Sequence, residues 1–256
     1  MDLGLQGARV IVTGGSRGIG AAATRIFAAE GARVAVVART RADVETLVEE
    51  IAGIPVIADL STAGGVAAAM DEAMAGLGGV DALINNAGSS TGGSILDADE
   101  RAWQETIDLK LMGYVRAMRS VLPAMQQQGS GSIVNVLGVA GTEASPGYVL
   151  ACIVTALTHV TASVGQLVAP DGVRVVAVHP GPTATDRLME MVANAADAQG
   201  LSPQEFADKV LGGRIPQGRV GRADEVARTI VFAASEASGF TNASQLYVDG
   251  GSAAKI

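Results

Sequence analysis

The sequence predicts an α/β protein built on a doubly wound, seven-stranded, mostly parallel sheet with helices on both faces. Three observations predict it. Short apolar runs alternate with helix-spaced segments along all 256 residues, the rhythm of parallel strands joined by covering helices. The strand candidates are nearly continuous apolar runs, as burial on two faces requires. A glycine-rich stretch, Thr13-Gly14-Gly15-Ser16-Arg17-Gly18-Ile19-Gly20, falls between the first run and the first helical segment, where a backbone must turn tightly from strand to helix.

In order, strands are expected near 9–13, 33–38, 54–58, 81–85, 131–137, 172–178 and 244–248. Arg9-Val10-Ile11-Val12 reads as a buried strand, and Ala21 to Glu30 repeats apolar residues at helical spacing. The segment from Asp99 to Gln128 reads as largely helical, interrupted near Pro123, with Lys110 towards its middle. Ser132 to Val136 forms the next strand, and Val149 to Leu157 is an unusually apolar helical run. The mobile candidates are the Gly/Ser-rich piece from Gly88 to Ser94 and the polar span from Asp186 to Gly221.

Composition narrows the partners. Hydrophobic residues make up 48% and charged ones 17%, enough for a large core. A net charge of −8 argues against nucleic acid, whose phosphates it would repel. The single cysteine, Cys152, allows no intrachain disulfide. There is no basic segment followed by an apolar run at the N-terminus, and no uninterrupted apolar stretch near the ~20 residues that span a bilayer. Two distant histidines make no metal cluster. The expectation is a soluble cytoplasmic protein with a small-molecule substrate, no nucleic acid, no membrane and no metal.

Four motifs recur in a fixed order: Gly14-x-x-x-Gly18-x-Gly20, Asn85-Asn86-Ala87-Gly88, Pro180-Gly181-Pro182-Thr183-Ala184-Thr185, and Tyr247-Val248-Asp249-Gly250-Gly251. Over essentially the whole chain this pattern resembles the short-chain dehydrogenase/reductase family. The resemblance implies a Rossmann-type fold, a single dinucleotide-binding domain over 1–256 and a substrate lid near 186–221. It also implies that Gly14, Ser16, Arg17, Gly18, Ile19 and Gly20 hold the pyrophosphate, whose charge suits the amides and dipole of a helix N-terminus. Asp59 and Leu60 would border the adenine, and Asn86, Ala87 and Gly88 the middle of the cofactor. Pro180, Gly181, Thr183 and Thr185 would border the nicotinamide. The second strand ends in Ala38-Arg39 where an acid would select NAD(H). With Arg17, Arg39 favours the 2′-phosphate of NADP(H); the alternative is that Arg39 and Arg41 only solvate a loop. Homodimers or homotetramers paired through long helices are also expected from the resemblance.

The family's catalytic residues do not match. Its asparagine, serine, tyrosine and lysine positions are occupied by Lys110, Gly138, Ala151 and Thr155. Nor is there a Tyr-x-x-x-Lys elsewhere: Met118, Cys152 and Gly251 follow Tyr114, Tyr148 and Tyr247 by four. If its helix begins early enough, Tyr148 lies one turn before the vacated tyrosine position and reaches the same pocket. With Lys110 favouring its phenolate, Tyr148 is the candidate acid. Weaker candidates are Glu143 and Thr142 in the facing loop and His179 before Pro180; His159 and Cys152 read as structural. Three functions compete: an NADP(H)-dependent oxidoreductase for a small, fairly apolar carbonyl or alcohol; an NADP(H)-binding protein without redox turnover; and a lyase or isomerase using the same cleft.

Overall fold

The computed structural model describes residues 2–88, 93–142, 144 and 146–253. Its main sheet holds β1 (Arg9–Thr13), β2 (Arg33–Ala38), β3 (Ile54–Ile57), β4 (Ala82–Asn85), β5 (Gly131–Val136) and β6 (Val173–Pro180). After β7 (Thr183–Ala184) and β8 (Gly221–Arg222), which pair with each other, β9 (Gln245–Val248) completes it. The order is β3-β2-β1-β4-β5-β6-β9 and every neighbouring pair is parallel. Each strand lies within two residues of its expected place.

Alternation along the strands explains the two helical layers. Val10, Val12, Val34 and Val36 point into a core shared with Phe27 and Ile230, from α1 (Gly18–Ala29) and α9 (Ala223–Ala234). Their neighbours Ile11, Ala35 and Val37 point the other way, against Met70, Leu77 and Val121 of α3 (Ala63–Leu77) and α5 (Gly113–Gln128). Each such side chain, fully buried, contributes ~1.5–3 kcal/mol. Strand order reverses between β1 and β4, and in sheets of this kind the crevice beyond the strands' carboxyl ends at that point is where ligands sit.

Two expectations are corrected. The first concerns Pro123, which does not interrupt its helix: α4 (Glu100–Thr106) leads through a six-residue π-helical stretch, Ile107–Met112, into α5, which runs on past Pro123. Burial of Val121 and Met125 on either side offsets the ~3 kcal/mol that an interior proline costs. The irregularity falls at Lys110 instead. The second concerns Tyr148, which is not helical. Its backbone is neither helical nor regular strand (φ −151°, ψ 58°), held by Gly147 O accepting from Gly93 N at 2.9 Å and Val149 N donating to Gly93 O at 3.1 Å. Only after the 3₁₀ turn Val149–Ala151 does α6 (Cys152–Val168) begin. The helical stretch Val149–Asp171 has the length and overall apolarity to cross a membrane, although it is not an uninterrupted apolar run. Its threonines and histidine interrupt the apolar run without making it polar overall. One side of it, carrying Ile153, Leu157 and Val168, packs inward against the sheet at β6.

Candidate active site

The cleft at the switch point encloses about 520 Å³. Its floor is the phosphate turn. Gly14 has φ +60°, and a β-carbon there would sit 2.8 Å from Ala87 Cα; one on Gly20 would meet the Gly14 carbonyl oxygen at 2.1 Å. Thr13 and Asn86 lock this closure. Thr13 Oγ1 accepts from the amides of Asn86 (3.0 Å) and Ala87 (3.1 Å), and Asn86 Nδ2 donates to the carbonyls of Thr13 (3.1 Å) and Gly14 (3.0 Å). No side chain caps the start of α1, so its first amides face the cleft as donors. These residues fit a dinucleotide's pyrophosphate, an anion that such uncapped amides would stabilise.

At the adenosine end Arg39 is exposed, lines the cleft and has no ion pair among the described residues. Arg17 is tied to Asp43 of α2 (Arg41–Ile51), Nε to Oδ2, at 2.6 Å. Asp59 is held below the usual carboxylate range by hydrogen bonds from Ser61 and then by the Arg39 charge. The lining also includes Gly14, Ser16, Gly18, Ile19, Leu60, Asn86, Ala87, Gly88, Pro180 and Thr185. Gly20, Asp59, Gly181 and Thr183 are not among the lining residues: Gly181 N donates to Val248 O at 3.0 Å, and Thr183 Oγ1 to Gly181 O at 2.8 Å. Thr185 caps α7 (Asp186–Asp197), accepting from Leu188 N at 3.3 Å. A β-carbon on Gly18 would lie 3.3 Å from Thr185 Cγ2, so α7 begins directly against the phosphate turn.

The far end holds Lys110 and Gly138, two of the four positions that the family resemblance singles out. Lys110 lines the cleft, with Nζ donating to Val136 O at 3.3 Å and lying 5.5 Å from the Tyr114 ring centroid. Burial, and then the Arg187 charge, lower its pKa to about 8. Tyr114 is fully buried, its hydroxyl donating to the same carbonyl at 3.0 Å, and burial holds that phenol neutral far above its usual pKa. Gly88 makes room for the lysine, since a β-carbon there would approach Nζ to 3.2 Å. Gly138 also lines the cleft, at φ +105° and ψ 148°, a conformation that side chains disfavour. Its carbonyl is bonded to His179 Nδ1 at 3.0 Å, and His179 is buried and stacked on Tyr247 with centroids 4.9 Å apart. His179 is therefore a brace for Gly138. Ala151 is buried, and Thr155, exposed on α6, donates to Gly141 O. Tyr148 is not among the described residues lining the cleft, whereas Lys110 is. Thr142 Oγ1 is turned back to Val139 O at 2.7 Å, and Glu143 lies outside the described residues.

Sequence reasoning missed Arg187, Glu190 and Asp43, all of which line the cleft. Asp43 stands in the first turn of α2 and Arg187 in the first turn of α7, places where a charged side chain draws no attention in the sequence. The signal available for Arg187 was its place two residues beyond Thr185.

Fold and cleft together define a dinucleotide-binding protein of the doubly wound class. Residues 14–253 match the family described as enoyl-(acyl carrier protein) reductase. An uncharacterised oxidoreductase of Bacillus subtilis is 33% identical over 98% of both chains. A 3-oxoacyl-[acyl-carrier-protein] reductase of Thermotoga maritima is 30% identical over 96% of this chain and 98% of its own. Among solved structures, L-sorbose reductase of Gluconobacter frateurii, complexed with NADPH and L-sorbose, superposes with a TM-score of 0.92 at 27% identity, covering 100% of both chains. The chain belongs to the short-chain dehydrogenase/reductase family.

Proposed function

We propose that the protein is an NADP(H)-dependent oxidoreductase acting on a small, fairly apolar carbonyl compound or the corresponding alcohol. Lys110 and Tyr148 are its proton-handling candidates in place of the family's usual set. The observation that carries this reading is the cleft itself: a closed phosphate turn with uncapped helix amides at one end and a sheltered lysine at the other. When bound, the nicotinamide supplies or receives the hydride. The chain's own part is to seat the diphosphate on the amides of Gly18 to Gly20, meet a 2′-phosphate with Arg39 and Arg17, and deliver or take the proton at the substrate oxygen. Each guanidinium contact to that phosphate is worth ~1.5–3 kcal/mol, enough to set cofactor preference. The relatives' names, reductases of a sugar and of acyl-carrier-bound ketones, support carbonyl chemistry.

The reading places a single domain over 1–256, with 186–221 as its substrate lid, in the cytoplasm. It pairs α6 with a second copy in a homodimer or homotetramer, a reading supported by Leu167, 74% exposed on that helix. A second reading, a cofactor-binding protein without turnover, draws on one observation: at Gly138 the backbone itself has left the conformation a serine would adopt. Titration with NADPH and NADH, followed by single-turnover reduction of a panel of carbonyl compounds, separates the two. Tight NADPH binding with no oxidation across the panel favours the non-catalytic reading; conversion without change in nicotinamide absorbance means a lyase or isomerase.

A further inference from the structure

Lys110 is placed unlike the other described lysine. Lys209 is an exposed residue paired with Glu205 at 3.2 Å. Lys110 enters the cleft from the π-helical stretch, has no ion pair among the described residues, and rests on one long hydrogen bond to Val136 O at 3.3 Å. The charged and titratable groups around it are few. Asp186, Arg187 and Glu190 come from α7 across the cleft, and only Arg187 acts appreciably on the ammonium. Asp108, on its own stretch, lies 3.9 Å from Arg116; neither lines the cleft. Tyr114 beneath it is neutral, His179 stands behind Gly138, and Arg17, Asp43 and Arg39 occupy the adenosine end. Burial and a facing cation both favour giving up the lysine's proton, and a donor matched to ambient pH is the most effective acid.

We propose that Lys110 Nζ is itself the proton donor of the reduction, and that Arg187, lining the same cleft from α7, acts through it as a positioning residue. This rests on the oxidoreductase reading. As the carbonyl carbon gains its hydride, one N–H bond of the ammonium breaks and the proton passes to the oxygen, which becomes the hydroxyl. The nitrogen keeps the electron pair, and the neutral amine recovers a proton from water. In the oxidative direction the amine takes the alcohol's proton. No tyrosine is required at the reacting atoms.

With three lysines in the chain, 13C-lysine labelling reads the amine directly by NMR, cofactor or no cofactor. One lysine signal should titrate near pH 8, vanish in Lys110→Met and move upward in Arg187→Met. In single-turnover reduction with NADPH, Lys110→Met should lose about 10²–10⁴-fold in rate, with its NADPH affinity, read by fluorescence, serving as the check that it folds. The wild-type rate should fall as pH rises through the NMR midpoint, and Arg187→Met should carry both upward together. Lys110→Arg keeps a cation that cannot release its proton, so it too should fail. Restored turnover in Lys110→Arg would mean the lysine is only a fixed charge, and would overturn the proposal. So would a Lys110 titration at the ordinary lysine value, or turnover that survives Lys110→Met and dies in Tyr148→Phe. A wild-type protein that binds no NADPH would instead bring down the oxidoreductase reading on which the proposal stands.

Discussion

The two ends of the cleft are constrained in different ways. At the phosphate end, Gly14 and Gly20 are dictated by the chain's own closure: a β-carbon at either position would collide with backbone within 2.1–2.8 Å. These glycines would be needed even if nothing bound. At the Lys110 end, a β-carbon on Gly138 would have nothing nearer than Pro180 O at 4.0 Å, so the space for a side chain exists while the backbone angle disfavours it. The intact glycine pattern therefore speaks mostly to fold. Ligand is argued better by residues the fold does not need, namely exposed Arg39, uncapped α1 and the half-buried Lys110.

The contrast can be broken by substitution, beginning with the largest effect. Gly20→Ala should destabilise the protein by ~3 kcal/mol, since backbone cannot move aside for a β-carbon; a thermal midpoint unchanged from wild type would show that the turn is not self-locking. Arg39→Ala should leave the melting curve in place and weaken NADPH binding by about 10–100-fold, the ~1.5–3 kcal/mol of its charge-assisted bonds, while NADH affinity stays put. Equal losses for both cofactors would remove Arg39 from the 2′-phosphate. Gly138→Ala should cost ~1–2 kcal/mol from conformation alone, and Gly138→Ser should cost the same without raising reductase activity. A serine variant that gained turnover would mean the loop readily resumes another backbone path.

The smallest effect has the opposite sign. Lys110→Met should stabilise the fold by ~1 kcal/mol near neutral pH, the mark of a group kept for chemistry at a cost to stability. The folded lysine releases its proton near pH 8 and the unfolded one near 10.5. Below pH 8 both states are protonated and the burial penalty is fully present; between 8 and 10.5 it fades as the folded state sheds its proton first. Denaturation midpoints of wild type and variant should therefore converge as pH rises through that window.

Much of this was legible in the sequence. Largely apolar runs located the strands of the main sheet, because burial on two faces favours that composition, although β5 carries Ser132 and Asn135 and β9 begins at exposed Gln245. Lys110 was found by its place in a motif rather than by periodicity. What could not be read depended on partners distant in the chain. Tyr148 stays out of the helix because Gly93 offers its backbone a parallel bridge, a competitor that no local propensity reveals. Pro123 stays inside α5 because of what its neighbours bury, and Arg187 matters only because α7 lays it opposite a lysine far away in sequence.

The six-residue π stretch at 107–112 works as a phase shift in an otherwise continuous rod running from Glu100 to Gln128. One surplus residue is absorbed there, so α4 and α5 can each keep their own inward stripe although a uniform helix would satisfy only one of them. Removing a single residue from the wide turn would leave a regular, well-bonded helix with α4 and α5 still in phase, and only the wide turn itself would be gone. Lys110 lies inside that turn, so its direction would change while the helices on either side stayed put, which makes the reach of Lys110 a property of chain length at this point as much as of its chemistry.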